Sequence, residues 1–73
     1  MYIVRFRGYE PPFNEFSSKR EACKYLRECI QDDLDSAPYK LAKIKHSATH
    51  YETKIGCKQG IHTYSEGWVV ANV

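Results

Sequence analysis

Residues 18–34 carry the clearest helical pattern in the chain, and this segment constrains what the remaining residues can build around it. Ser18 and Glu21 have the S-x-x-E spacing of a capping box, in which each side chain satisfies a backbone amide at a helix start. The apolar residues that then recur at helical spacing are Ala22, Leu26, Cys29 and Ile30. The pattern predicts one amphipathic helix whose apolar stripe faces a sheet.

The charges of this predicted helix run against its dipole. Its charged residues after the capping box are, in order, Lys24, Arg27, Glu28, Asp32, Asp33 and Asp35, and Lys19 and Arg20 stand at its start. A helix macrodipole favours acids at the N-terminus and bases at the C-terminus, each by roughly 0.3–1 kcal/mol at an exposed site. Helix stability therefore does not explain the arrangement, which indicates that the basic end meets something acidic.

Residues 2–7 have the alternation of a half-buried strand. Its two predicted faces carry Tyr2, Val4 and Phe6 on one side and Ile3, Arg5 and Arg7 on the other. Gly8 ends the pattern, and an extended connection follows because Pro11 and Pro12 cannot donate to a strand ladder. We therefore expect one strand before the helix.

The last third of the chain indicates an antiparallel sheet. Residues 49–55 alternate, and residues 60–64 and 68–73 are predicted to be two short strands. A three-residue hairpin connection is predicted at 65–67, with Gly67 in the left-handed position.

Residues 39–46 fit either a strand or a second helix. Ala42 and Ile44 share one side of a strand, whereas Pro38 suits the first turn of a helix. A second helix would also place the acids at 32–35 near a helix start, where they are favourable. We favour the strand, because one helix on a sheet makes a more economical core in so short a chain.

These patterns predict a single small α+β domain over residues 1–73, in the order β-α-β-β-β, with one helix packed on a small, mainly antiparallel sheet. A chain of 73 residues buries only about 60% of its unfolded surface, so its stability should be modest. The content of 42% hydrophobic and 27% charged residues is typical of globular proteins. No apolar run approaches the roughly 18 residues of a membrane span. Three cysteines without paired spacing favour a reduced, cytoplasmic setting.

Metal binding and nucleophilic catalysis find little support in the sequence. The candidate ligands are Cys23, Cys29, Cys57, His46, His50 and His62, and they lack the close pairs, such as C-x₂-C, of structural zinc sites. Cys57 lies beside Lys58 in a predicted turn, but so small a chain has little room for the pocket that a nucleophile needs. We expect no metal, no cofactor, no small-molecule substrate and no enzymatic activity.

The basic and aromatic residues point instead to macromolecular binding. The candidate partner-binding residues are Arg5, Arg7, Lys19, Arg20, Lys24, Arg27 and Tyr25, the last expected to be exposed. Arginine and tyrosine are enriched at protein interfaces, and a helix with a basic and an acidic half offers orientation-specific complementarity to a protein. The edge strands of the sheet would also be open to strand addition.

Nucleic-acid binding is the alternative. Arg5, Arg7 and the helix bases would then form one basic surface with Lys40, Lys43 and Lys45. The acids between 28 and 35 argue against it, because they would repel a phosphate backbone that runs along the whole helix. We therefore favour a protein partner.

The size, the opening strand MYIVRF and the capped helix segment FSSKREA suggest a class of protein. In these features the chain resembles the small α+β proteins that bacteriophages use to take over their hosts. Such proteins are non-enzymatic and block a host machine by binding it, commonly RNA polymerase and sometimes a CRISPR effector. The resemblance implies an inhibitor or modulator of transcription that acts in the host cytoplasm, and it assigns no role to any individual residue.

Overall fold

The chain folds as one helix packed on a five-stranded antiparallel sheet. The structure is a computed structural model that describes residues 1–37 and 40–71. Its elements are β1 (Tyr2–Phe6), β2 (Asn14–Phe16), α1 (Lys19–Ser36), β3 (Ala42–His46), β4 (His50–Cys57) and β5 (Gly60–Ala71). The strands lie in the order β2-β1-β5-β4-β3, and each neighbouring pair is antiparallel. The predicted α+β class, with one helix on an antiparallel sheet, is confirmed.

The helix α1 forms where the capping pattern predicts it. Ser18 is extended, and its side-chain oxygen accepts a hydrogen bond of 3.2 Å from the backbone amide of Glu21. The residues that α1 buries are Ala22, Leu26 and Ile30, which confirms three positions of the predicted apolar stripe. The fourth, Cys29, is half-buried and packs against the core. The helix ends at Ser36, where the amide of Ala37 donates to the carbonyl of Asp33 at 3.1 Å.

The core lies between α1 and one face of the sheet. Val4 and Tyr51 are each 1% exposed and pack with the buried stripe of α1. Between them, Gly67 pairs with Phe6 on β1 and with Tyr51 on β4. A Cβ atom at Gly67 would lie 2.8 Å from Cε1 of Tyr51 and 2.9 Å from Cδ1 of Leu26. The missing side chain therefore lets the helix approach the sheet closely.

The hairpin predicted at 65–67 is wrong. The strand β5 runs without interruption from Gly60 to Ala71, and the pairing with β4 only shifts register between Thr53 and Lys54. Glycine is required at position 67 because Tyr51 and Leu26 occupy the space that a side chain would fill, and not because the backbone makes a left-handed turn there. The turn between β4 and β5 lies at residues 58–59, and Gly60 has the positive φ of 122°. The predicted strand end at 72–73 lies outside the described residues.

The strand alternative for residues 39–46 is confirmed over Ala42–His46, and Tyr39 lies outside the described residues. The alternative of a second helix is therefore wrong over these positions. Asp32, Asp33 and Asp35 consequently remain inside α1, in its last turns. A further short strand, β2, was not predicted and pairs with β1 at the edge of the sheet.

Candidate partner-binding surfaces

Four basic residues form what we call the basic stripe, which comprises Lys19, Arg20, Lys24 and Arg27. All four are exposed. Arg20, Lys24 and Arg27 lie on a side of α1 that its apolar stripe leaves in solvent, and Lys19 is the first residue of the helix. The two ion pairs among the described residues involve Arg7, His50 and Glu66, so none includes the basic stripe. The stripe is therefore a set of solvated charges without an intramolecular counter-charge at contact distance.

The inverted charge pattern of α1 persists in the folded protein. Its first turn contains one acid, Glu21, and its last turn contains no base. Of the acids near the C-terminal end, Asp33 accepts a hydrogen bond of 2.8 Å from the phenol of Tyr51. Asp35 accepts one of 2.9 Å from the side chain of Gln31. The acids are thus partly held by hydrogen bonds, whereas the bases at the other end have no such explanation.

Tyr25 is not the exposed anchor that the sequence suggested. It is half-buried, with its ring centroid 5.2 Å from that of Phe16 and 6.4 Å from that of Phe6. Its phenol oxygen accepts a hydrogen bond of 2.7 Å from the side-chain amide of Asn14, and burial raises the pKa of this phenol. The physical reason is its position beside Leu26, at the margin of the apolar stripe. Tyr25 joins α1 to β1 and β2.

Arg5 does not share a surface with the basic stripe. It pairs with Trp68 on the face of the sheet away from α1, and its guanidinium lies 5.5 Å from the ring centroid of Phe13. Arg7 follows the end of β1, where its Nη1 lies 3.4 Å from Oε1 of Glu66. The structure therefore places Arg5 on one side of the molecule and the basic stripe on the other.

The lysines near β3 are also divided between the two faces. Lys43 pairs with Thr53 and Lys45 pairs with Glu52, so a register shift between them turns their side chains to opposite sides. Lys40 is exposed and precedes the strand. A single continuous basic surface, as the nucleic-acid alternative requires, is not formed by these residues.

A polar cluster on the face opposite α1 escaped the sequence analysis. Nε2 of His50 lies 2.7 Å from Oε2 of Glu66, and the imidazole stacks on Trp68 with 5.6 Å between ring centroids. The hydrogen bond with His50, and then that from Arg7, holds the pKa of the Glu66 carboxyl below its usual value. These residues are far apart in sequence, and the predicted hairpin at 65–67 hid the strand register that joins them. The cluster ties the end of β1 and the start of β4 to the middle of β5.

A groove of about 440 Å³ lies where β1 ends, between the C-terminal half of α1 and the sheet. We call it the aromatic groove. Its aromatic lining consists of Phe6, Tyr9, Tyr25, Tyr51 and Tyr64, and α1 contributes the carboxylates of Asp32 and Asp33. Glu66 also borders the groove, but its carboxylate is held by His50 on the face opposite α1. Arg7, already paired with Glu66, is the base among its lining residues. The groove therefore combines ring faces with an excess of negative charge.

The cysteines have no evident chemical role. Cys23 and Cys29 are half-buried free thiols on α1. Burial raises the pKa of the Cys29 thiol, against a smaller lowering by the hydrogen bond with Tyr25, and the carboxylates of Asp33 and Asp32 add to this rise. The side chain of Cys57, the candidate nucleophile, lies outside the described part of the structure. Within residues 1–37 and 40–71, no group of three or more potential ligands is placed to hold a metal ion.

Comparison with known proteins identifies no relative of this chain. No family model, no curated protein and no solved structure matches the chain. Among the described residues, no helix has both the length and the apolar character required to cross a bilayer. The basic stripe and the aromatic groove must therefore be interpreted from their own chemistry.

Proposed function

We propose that this chain is a non-enzymatic binding protein that docks on an acidic surface of a partner protein through the basic stripe of α1. The observation that carries the proposal is the exposure of Lys19, Arg20, Lys24 and Arg27 on the N-terminal half of α1, with Lys19 and Arg20 in its first turn, at the positive end of the helix dipole. Each base in the first turn opposes that dipole at a cost of roughly 0.3–1 kcal/mol. Carboxylates of a partner would offset this cost in the complex.

The rest of α1 favours a protein over a nucleic acid. The exposed charged residues of α1 that follow the stripe are Glu28, Asp32 and Asp35, all acids. The basic segment therefore spans only about 10 Å from Arg20 to Arg27. A phosphate backbone running along the helix would meet these acids, whereas a protein surface can offer acids to one half and bases to the other. Such complementarity sets the orientation of the partner and speeds association.

We further propose that the partner is a bacterial machine, such as RNA polymerase or a CRISPR effector, and that binding inhibits or redirects it in the host cytoplasm. This part of the proposal rests on the resemblance in size and layout to phage host-takeover proteins. It requires no catalytic group, in keeping with a chain whose prominent surface features are charged and aromatic patches.

One observation supports nucleic-acid binding as the second candidate function. Residues 53–65, which include the turn between β4 and β5, contain no acid and carry Lys54, Lys58 and His62. β1 pairs with β5 only from Gly67 onward, so this ribbon extends past the neighbouring strand. A basic two-stranded ribbon is one of the elements that proteins insert into a nucleic-acid groove.

Affinity capture from a bacterial lysate, with and without nuclease, separates the two candidates. The bait is the whole chain, compared with the double variant Arg20→Glu/Lys24→Glu and with the matched control Lys43→Glu/Lys45→Glu on β3. We expect a nuclease-resistant protein that the control retains and the helix variant loses. Equal capture by both variants would contradict the assignment to α1, and loss of all partners after nuclease treatment would favour the nucleic-acid alternative.

A salt titration against single- and double-stranded DNA and RNA completes the comparison. When a protein binds the phosphates of a nucleic acid, the logarithm of the binding constant falls linearly with the logarithm of the salt concentration, because cations condensed on the nucleic acid are released. No binding at low salt would remove the nucleic-acid candidate.

A further inference from the structure

The strand β5 has an unpaired edge that its neighbour does not reach. β5 contains 12 residues, and β1 pairs only with Gly67–Ala71 at its end. One more hydrogen bond, from the amide of Arg7 to the carbonyl of Glu66, extends this ladder before Gly8, with φ of 84°, turns the chain away. On this side, residues 61–65 have no strand partner among the described residues. Unpaired backbone groups of this kind are a template for strand addition.

The outer edge of β3 is a poorer template than the free edge of β5. Lys43 and Lys45 flank Ile44 on β3, and the register shifts between the two lysines. Lysines and irregular pairing are the features by which natural proteins protect an edge strand. Residues 61–65 include no lysine, arginine, aspartate or glutamate, and Ile61 is 72% exposed. The free edge of β5 therefore lacks the lysines that protect β3.

The aromatic groove lies directly beside this free edge. Tyr64, Ser65 and Glu66 of β5 form one wall, and Phe6 at the end of β1 and Tyr9 beyond it also line the groove. A segment that pairs with residues 61–65 would continue along the line of β1. Because side chains of a strand alternate between its faces, every second side chain of that segment would point into the groove.

The charge of the groove selects the side chain that it can accept. Asp32 and Asp33 stand on the wall formed by α1, near the negative end of the helix dipole. The base among the lining residues, Arg7, is already paired with Glu66. A guanidinium or ammonium group can therefore contact carboxylates and the faces of tyrosine rings at the same time.

We propose that the free edge of β5 at residues 61–65 and the aromatic groove form a second binding site, which takes an extended basic peptide of a partner protein as an added strand. Main-chain hydrogen bonds to β5 supply the register, and an arginine or lysine side chain enters the groove. The site differs from the basic stripe in charge and in position, so it stands independently of the function proposed above.

Binding of synthetic peptides to the whole ¹⁵N-labelled chain tests this site. The probe is a capped peptide of about seven residues in which arginine alternates with valine, long enough to span residues 61–65. One matched peptide replaces arginine with glutamate, and another carries N-methyl groups on alternate amides. We expect the arginine peptide alone to shift the amide signals of residues 61–65 and to slow their hydrogen exchange.

A pair of protein variants tests the contribution of the groove. Asp32→Asn removes a carboxylate that lines the groove. Asp35→Asn is the matched control, because the Asp35 carboxylate lies at the same end of α1 but bonds the side chain of Gln31 and is not among the residues that line the groove. We expect Asp32→Asn to weaken binding of the arginine peptide about threefold or more, as for the loss of one partly screened charge pair. Asp35→Asn should change the affinity less than twofold by the same screening argument.

Several outcomes would overturn the proposal. Equal affinity of the N-methylated peptide would exclude strand addition, and signal changes confined to Ala42–His46 would place the peptide on β3 instead. Signals of residues 61–65 that change with protein concentration, without peptide, would show that a second copy of the chain occupies the edge. Stronger shifts at these residues with a DNA or RNA duplex than with the arginine peptide would identify a nucleic acid as the occupant.

Discussion

The phenol of Tyr51 donates a hydrogen bond of 2.8 Å to Oδ2 of Asp33, and this bond joins β4 to the last turns of α1. The ring of Tyr51 is buried, and burial, followed by the nearby Asp33 carboxylate, raises the pKa of its phenol well above the ordinary value. Asp33 thus differs from the other acids of the helix end, because a buried partner holds it against the sheet. The contact also fixes one wall of the aromatic groove.

We predict that Tyr51→Phe lowers the free energy of unfolding by about 1–2 kcal/mol, since it removes a hydrogen bond to a charged acceptor and leaves the ring in place. Urea denaturation at neutral pH measures this change. Tyr64→Phe is the control, because Tyr64 is 42% exposed and its hydroxyl makes no hydrogen bond among the described residues. An equal loss of stability in both variants would show that the Tyr51 hydroxyl has no special role.

The contact of Gly67 with the core gives a second prediction. An added Cβ atom would meet Cε1 of Tyr51 at 2.8 Å and Cδ1 of Leu26 at 2.9 Å, so Gly67→Ala should destabilise the protein by about 1–3 kcal/mol. Gly56→Ala is the matched control, because no atom lies within 4 Å of the position of its Cβ. Thermal denaturation of the two variants should show a loss for Gly67→Ala alone. A stable Gly67→Ala variant would contradict the close packing of helix and sheet.

The helix could be predicted from the sequence because its signals are local. A cap at Ser18 and the spacing of Ala22, Leu26 and Ile30 act within a few turns of one segment. The strand at Ala42–His46 could be preferred over a helix only by an argument about the economy of the core. Its register, and with it the separation of Lys43 from Lys45, depends on pairing with β4.

The candidate sites depend on contacts between distant segments, which the sequence pattern does not specify. Gly67 is compatible with a turn and with close packing, and only the positions of Tyr51 and Leu26 decide between the two. The wrong hairpin at 65–67 then concealed the His50–Glu66 pair and the continuous edge of β5. The basic stripe was predictable, because exposure on one helix is fixed by the apolar stripe on its other side.

The pair of Glu66 with His50 predicts a dependence of stability on pH. The folded-state pKa of Glu66 is lowered, chiefly by the hydrogen bond with His50, so the unfolded chain binds more protons at this site in acid. The stabilisation is complete above the unfolded pKa of about 4.3 and is lost as the pH falls through the folded pKa. Glu66→Gln should therefore flatten the acid side of the stability curve.

Urea denaturation at a series of pH values between about 2 and 7, the range in which carboxyl groups titrate, measures the free energy of unfolding of both proteins and checks this prediction. Glu52→Gln is the control, because Glu52 lies directly opposite Glu66 in the sheet and lacks the contact with His50. A curve for Glu66→Gln as steep as that of the parent would exclude Glu66 as the source of the acid sensitivity.

The bases in the first turn of α1 are expected to lower the free energy of unfolding while strengthening the complex with a partner. Because Lys19 and Arg20 occupy the first turn of α1, Lys19→Glu and Arg20→Glu should each raise the free energy of unfolding by about 0.3–1 kcal/mol while weakening the captured complex. Glutamate at position 20 would also stand four residues before Lys24, a spacing that supports a helix. Lys40→Glu, outside the helix, is the control and should leave stability within about 0.5 kcal/mol. If the helix variants were less stable than the parent, the bases would serve the fold itself, and an acidic partner would no longer be needed to explain them.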